Sequence, residues 1–152
     1  MEHYFAYGSN LEQRRMLERC PSARPVGHAI LQGYRLDFPL SDKNWRGGVA
    51  GVLRDKKAQV EGIVYELTLE DLEALDRFED VALGDYFRKK QELEFPDGTP
   101  MEAWVYFPGR YGKNQYPPSE AYKAALVSGA IEHGLSERYV RFLKSISVNT
   151  EN

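Results

Sequence analysis

Tyr4-Phe5-Ala6-Tyr7-Gly8-Ser9-Asn10-Leu11 is the stretch around which the chain is organised. The aromatic and small residues up to Tyr7 favour a pleated strand, and Gly8 admits backbone conformations that other residues resist. Asn10 is a good helix N-cap, and Gln13 follows three residues later, where it can complete a capping box. A turn that feeds a helix N-terminus aims several unpaired N–H groups at one spot, which suits a carboxylate or a developing oxyanion. Strand–turn–helix corners that bind nothing have the same pattern, so the stretch is a candidate site only.

Outward from this corner, Leu11 to about Cys20 reads as a short amphipathic helix that Pro21 stops. Val26 to Phe38 reads as a strand with a break near Gly33, and Ser41 to Gly48 as a polar loop. Val49–Leu53 and Val60–Leu67 are expected as strands joined by the charged turn Arg54-Asp55-Lys56-Lys57. Thr68-Leu69-Glu70-Asp71 is a capping signature that opens a helix through Phe78 or beyond. Tyr86–Phe95 and Met101–Phe107 flank Pro96-Asp97-Gly98-Thr99-Pro100, a hairpin signal. A Gly-, Tyr- and Pro-rich loop then leads to a helix capped by Ser119 and ended at Gly134, and to a last helix from Ser136. Strands gather in the middle and helices close the chain, which predicts an α+β fold with the strands curled into a small barrel.

The 152 residues, 42% hydrophobic and 28% charged, suffice for one core without staples. The expectation is a single domain over residues 1–148 and a loose tail over 149–152. A net charge of −3 with no basic face argues against a nucleic-acid partner. No apolar stretch approaches a membrane span and no signal peptide is evident. The lone cysteine, Cys20, excludes an internal disulfide and fits a reducing compartment, so a cytoplasmic setting is expected.

The helix from Thr68 carries the sharpest chemical clue. Leu72, Ala74, Leu75 and Phe78 project to one side, and Glu70, Glu73, Arg77 and Asp80 to the other. Glu79 falls between Leu72 and Leu75, on the apolar side. A carboxylate there is partly desolvated and its pKa rises, which tunes a glutamate for acid–base work near neutral pH. If the helix frays before Glu79, the same carboxylate is solvated, and both readings stand at this point.

Other chemistries are weakly supported. His3, His28 and His133 lack ligand spacing, so no metal site is expected. Ser9 is not in a nucleophile-elbow pattern, Cys20 beside Pro21 reads as a small buried residue, and no phosphate-binding glycine loop is present. Tyr7, Tyr86, Tyr106 and Tyr122 are candidates to line a pocket, against the alternative that they only fill core or surface.

The sequence resembles the γ-glutamyl cyclotransferase (AIG2-like) family. The opening stretch matches that family's substrate loop, and Leu75-Asp76-Arg77-Phe78-Glu79-Asp80-Val81 with Gly84 and Tyr86 matches its catalytic segment. Pro21-Ser22-Ala23, Leu36-Asp37-Phe38, Trp45 with Gly47-Gly48, and Gly62-Ile63-Val64-Tyr65 agree in order. Pro117-Pro118-Ser119 with Tyr122, Gly129-Ala130 and His133-Gly134-Leu135 extend the match toward the C-terminus. Where the family often has Glu-Gly, this chain has Glu79-Asp80. Tyr7-Gly8-Ser9-Asn10, in place of Tyr-Gly-Thr-Leu, puts it nearer the branch acting on γ-glutamyl amino acids than the γ-glutamylamine enzymes.

The resemblance implies a mixed α/β barrel and an enzyme that needs no cofactor. Its substrate would be a small γ-glutamyl amino acid or amide whose own α-amine attacks the γ-carbonyl and releases 5-oxoproline. Glu79 would be the general base and acid. Tyr4, Phe5, Ala6, Tyr7, Gly8, Ser9, Asn10 and Leu11 would form the substrate loop, Tyr86 and Tyr122 would orient the glutamyl portion, and a homodimer is implied. Removal of a γ-glutamyl protecting group from a biosynthetic intermediate, and a non-catalytic γ-glutamyl- or 5-oxoproline-binding module, are the alternatives.

Overall fold

Two very long strands dominate the architecture, β2 (Arg24–Asp42) and β3 (Gly47–Leu67), which pair antiparallel along almost their whole length. The structure is a computed structural model that describes residues 1–150. Around this hairpin, β1 (Glu2–Ala6), β4 (Tyr86–Glu94) and β5 (Pro100–Pro108) complete a closed barrel in the order β1-β3-β2-β4-β5. β1 runs antiparallel to β3 and parallel to β5, where Tyr4 stands opposite Trp104, so the barrel is mixed. Closure removes the exposed strand edges that open sheets must protect. Phe5, Leu31, Val60, Tyr65, Leu67 and Val105 are fully buried in its core.

Four helices pack outside: α1 (Gln13–Arg19), α2 (Leu69–Phe78), α3 (Glu120–Glu132) and α4 (Glu137–Lys144). The last three begin as expected, with Thr68, Ser119 and Ser136 each accepting a backbone N–H three residues on. Buried Glu61 takes both the N–H and the hydroxyl of Ser136, at 2.9 and 2.6 Å, and ties α4 to β3. No described helix is long and apolar enough to cross a membrane.

Several expectations need correction. Arg54–Lys57 is not a reversal: β3 runs through it, and residues 55–58 bulge out opposite Gly33, whose φ of +82° supplies the break anticipated in β2. Charge there signals a solvated bulge rather than a turn. The loop expected over Ser41–Gly48 shrinks to a tight turn, because both strands extend toward it. Its Arg46 holds a left-handed φ of 59°.

Asn10 is not an N-cap; it sits in a 3-10 turn over Ser9–Leu11, which precedes α1, and is only 2% exposed. Glu12 occupies the N-cap of α1 without a side-chain bond to a backbone N–H of the helix, and the Gln13 N–H reaches across to Glu132 Oε1 on α3 at 2.9 Å. Tertiary partners have displaced the local capping box. Phe78, expected on the buried side of α2, is 55% exposed. At the tail, Asn149 is not loose, since its N–H bonds Pro118 O and its amide bonds Arg46 O. Residues 151–152 of the expected tail lie outside the described residues.

Candidate active site

A cavity of about 430 Å³ opens where the 3-10 turn, the β2–β3 turn and the end of α2 converge over one end of the barrel. Of the residues singled out in sequence, Tyr4, Tyr7, Gly8, Ser9, Asn10, Glu79, Tyr86 and Tyr122 line it. Phe5, Ala6 and Leu11 do not; all three are fully buried in the core. Alternation along β1 turns Phe5 away from the face of Tyr4, whereas Ala6 at the strand end and Leu11 in the 3-10 turn are packed into the core. Tyr106, named in sequence among the tyrosines that could line a pocket, lines it as well. Arg15, Arg19, Asp42, Asn44, Trp45 and Phe78 also line it, and the sequence reading gave none of these six a site role.

Glu79 stands at the C-terminal end of α2, its N–H still bonded to Leu75 O at 2.9 Å, so the helix has not frayed before it. α2 is held firmly along its length. Ser22 binds Asp71 through its N–H and hydroxyl, Arg88 grips Asp76 with a two-pronged contact at 2.8 and 3.1 Å, and the Tyr106 hydroxyl donates to Asp76 at 2.7 Å. The next residue, Asp80, adopts a left-handed conformation with φ 52°. This is where the resembling family often has glycine; aspartate is among the few other residues that tolerate it.

The Glu79 residue keeps partial solvent contact through the open mouth, but its carboxyl is enclosed by protein. Burial raises its pKa to about 7 from the ordinary 4.5, against the Arg19 charge that lowers it and with Asp80 and Asp42 adding to the rise. The folded chain therefore holds a proton that the unfolded chain releases between these values. That contribution to stability is complete below about pH 4.5 and is lost as pH rises through about 7. Glu79→Gln should flatten the stability profile in that window, between 4.5 and about 7, and urea unfolding of both proteins at about pH 4.5, 6 and 8 measures the difference.

A frame of tyrosines faces this carboxyl. Tyr86 donates its hydroxyl to Ala50 O at 2.7 Å and Tyr122 accepts the Ala50 N–H at 2.9 Å, so one strand residue fixes both. Tyr7 donates to Tyr106 O at 2.6 Å, and Tyr4 accepts from Asn10 Nδ2 at 3.0 Å. Burial, with the nearby Glu79 charge, pushes the pKa of all four phenols upward, so they remain protonated. Each committed hydroxyl keeps some capacity: Tyr86 and Tyr7 retain lone pairs, and Tyr122 and Tyr4 retain a proton to donate. Trp45 packs edge-on to Tyr122 with centroids 4.9 Å apart, and Arg15 lies 4.6 Å above Trp45.

Gly8 is explained by space rather than by an unusual φ. Its φ is −111°, but a Cβ there would meet the Tyr122 hydroxyl at 3.0 Å. Cys20 lies outside the cavity lining, and burial pushes its thiol up to about 12, which makes it an inert core residue.

A family model described as the AIG2-like family matches residues 59–143. A human protein named γ-glutamylcyclotransferase is 35% identical over 150 residues, 96% of this chain and 79% of that one. The chain belongs to the AIG2-like γ-glutamyl cyclotransferase family. The cattle protein of the same name is 34% identical over 150 residues, with the same coverage of 96% and 79%. A solved structure called γ-glutamyl cyclotransferase superposes with a TM-score of 0.94 at 33% identity, over 99% of this chain and 90% of that one.

Proposed function

We infer that this chain is a γ-glutamyl cyclotransferase, releasing 5-oxoproline from a small γ-glutamyl amino acid or amide. The observation that carries the reading is the enclosed Glu79 carboxyl in the tyrosine-lined cavity, with a pKa raised to about 7. The family membership and the shared name of the relatives support it.

The substrate carries its own nucleophile. Its α-amine, freed of a proton, attacks the γ-carbonyl carbon and closes a five-membered ring; the amide C–N bond then breaks and the leaving amine departs with an added proton. No water is consumed. Holding the chain curled supplies the proximity that makes intramolecular attack fast. Glu79 takes the proton from the α-ammonium and returns one to the departing nitrogen, and a pKa near the working pH suits both roles. Tyr86, whose proton is committed to Ala50 O, presents lone pairs to an ammonium, while Tyr122 presents a donor to an oxygen. N–H groups around Gly8 and Ser9 receive the carboxylate or the oxyanion.

The cytoplasmic setting and the homodimer implied by the resemblance belong to this proposal, and sedimentation at working concentration tests the second. The decisive assay is 5-oxoproline release from γ-glutamyl-alanine, γ-glutamyl-lysine and glutathione. Release from at least one is expected. Tight binding of 5-oxoproline with no release from any donor would instead favour a non-catalytic module.

A further inference from the structure

Arg19 is a cation in an acidic cavity with its most useful donors unspent. It is half-buried at the end of α1, and its guanidinium lies 5.1 Å from the Phe78 ring centroid, over the ring. Both of its hydrogen bonds leave from the same nitrogen, Nη1, to Asn10 Oδ1 at 2.6 Å and Ser9 Oγ at 3.3 Å. A guanidinium has five N–H groups, so the Nε–H and the two on Nη2 have no protein acceptor among the described residues. These form one side-on fork, the geometry that takes both oxygens of a carboxylate.

The surroundings sharpen the point. Among the described residues no carboxylate lies within ion-pair distance of Arg19, whereas the other lining arginine, Arg15, is already paired with Glu12 at 2.6 Å. Asp42, Asp80 and Asp85 also line the cavity beside Glu79. An anionic group entering among four acids would be repelled unless a cation met it. Asn10 is buried and holds the Tyr4 hydroxyl as well as Arg19, and the Tyr65 hydroxyl donates to its carbonyl. The guanidinium is therefore anchored at one corner and open along one edge.

Resting on the cyclotransferase reading, we propose that the Nε/Nη2 edge of Arg19 grips a carboxylate of the substrate and makes the free acid, rather than its amide, the preferred ligand. A γ-glutamyl amino acid offers two such groups, the α-carboxylate of the glutamyl portion and that of the leaving amino acid. Both present the same chemistry to the fork, and two acid–amide pairs separate them.

The first pair is γ-glutamyl-alanine against γ-glutamyl-alaninamide, read as the ratio of kcat/KM for 5-oxoproline release. The second is 5-oxoproline against 5-oxoprolinamide, read as the ratio of Kd by calorimetry. In Arg19→Met the acid preference should collapse by roughly tenfold or more in one pair, as expected for loss of a two-pronged charged contact. Collapse in the first pair assigns the leaving-group carboxylate, and in the second the glutamyl carboxylate. Arg19→Lys, which keeps the charge and loses the fork, should fall between, and it serves as the test variant if the methionine protein does not fold. An arginine that only braced Ser9 and Asn10 would weaken acid and amide alike. Ratios within about twofold of the native chain in both pairs, or no acid preference in the native chain itself, would overturn the proposal. If no γ-glutamyl donor is turned over, the first pair is read by calorimetry as well, as the ratio of Kd for γ-glutamyl-alanine and its amide, so failure of the reaction and failure of this assignment give different results.

Discussion

Glu79→Gln should lower 5-oxoproline release by roughly two to four orders of magnitude, the usual weight of a general base and acid, and should leave the fold intact. Glutamine fills the same volume and keeps an amide where the carboxyl was, but it neither accepts nor returns a proton. Because burial opposes ionisation of Glu79, removing the charge relieves a cost at neutral pH. The variant's melting temperature at pH 8 should therefore equal or exceed that of the native chain. This pairing matters: a dead protein that is no less stable has lost chemistry rather than structure. The pH profile adds a second check. For the native chain kcat/KM should rise with pH through about 7 as Glu79 becomes ionised and able to accept a proton. The residual rate of the glutamine variant should lack that limb. Turnover near the native value would show that another group moves the proton.

How much of this site the sequence displays depends on whether the signal is local. Glu79 is legible because α2 is bounded by a capping residue, Thr68, and its 3.6-residue period puts the carboxyl on the apolar side. The strands are legible where β-branched and aromatic residues run together, as in Gly62–Tyr65. The length of β2 and β3 is not, because the charged Arg54–Lys57 segment carries the composition of a turn while its backbone stays in the sheet. Asn10 has the composition of a cap, yet its side chain is claimed by Tyr4 and Arg19 from elsewhere in the corner. Arg19 gives no sequence signal at all. It is one of three arginines in a seven-residue helix, and only the tertiary placement of Asn10, Ser9 and Phe78 distinguishes it from its neighbours. Trp45 and Asp42 enter the cavity for a similar reason, through a turn whose position depends on the register of two long strands.

The second large effect falls on a residue that does not line the cavity. Gly129, in the middle of α3, packs directly on the turn that builds the site: a Cβ there would lie 2.5 Å from both the Leu11 carbonyl carbon and the Leu11 Cβ, and 2.7 Å from the Glu12 nitrogen. Two of these neighbours are backbone, so no rotamer change relieves the clash. Either α3 lifts away or the 3-10 turn moves toward the cavity. The first outcome loosens the contact of α3 with buried Leu11, and the second displaces Ser9 and Asn10. Gly129→Ala should therefore cost about 1–3 kcal/mol of stability through overpacking, despite alanine's better helix propensity. For a chain of this size that is a fall of roughly 2–12 °C in melting temperature. Turnover should fall as well, by about an order of magnitude, because reacting groups misplaced by a fraction of an ångström lose much of their proximity advantage. Ser128→Ala, on the exposed face of the same helix, is the matched control and should change neither property. If Gly129→Ala proved as stable and as active as that control, α3 would not be the support that holds the corner in place. The turn from Gly8 to Leu11 would then have to keep its shape through its own bonds and those to β1 and α1 alone.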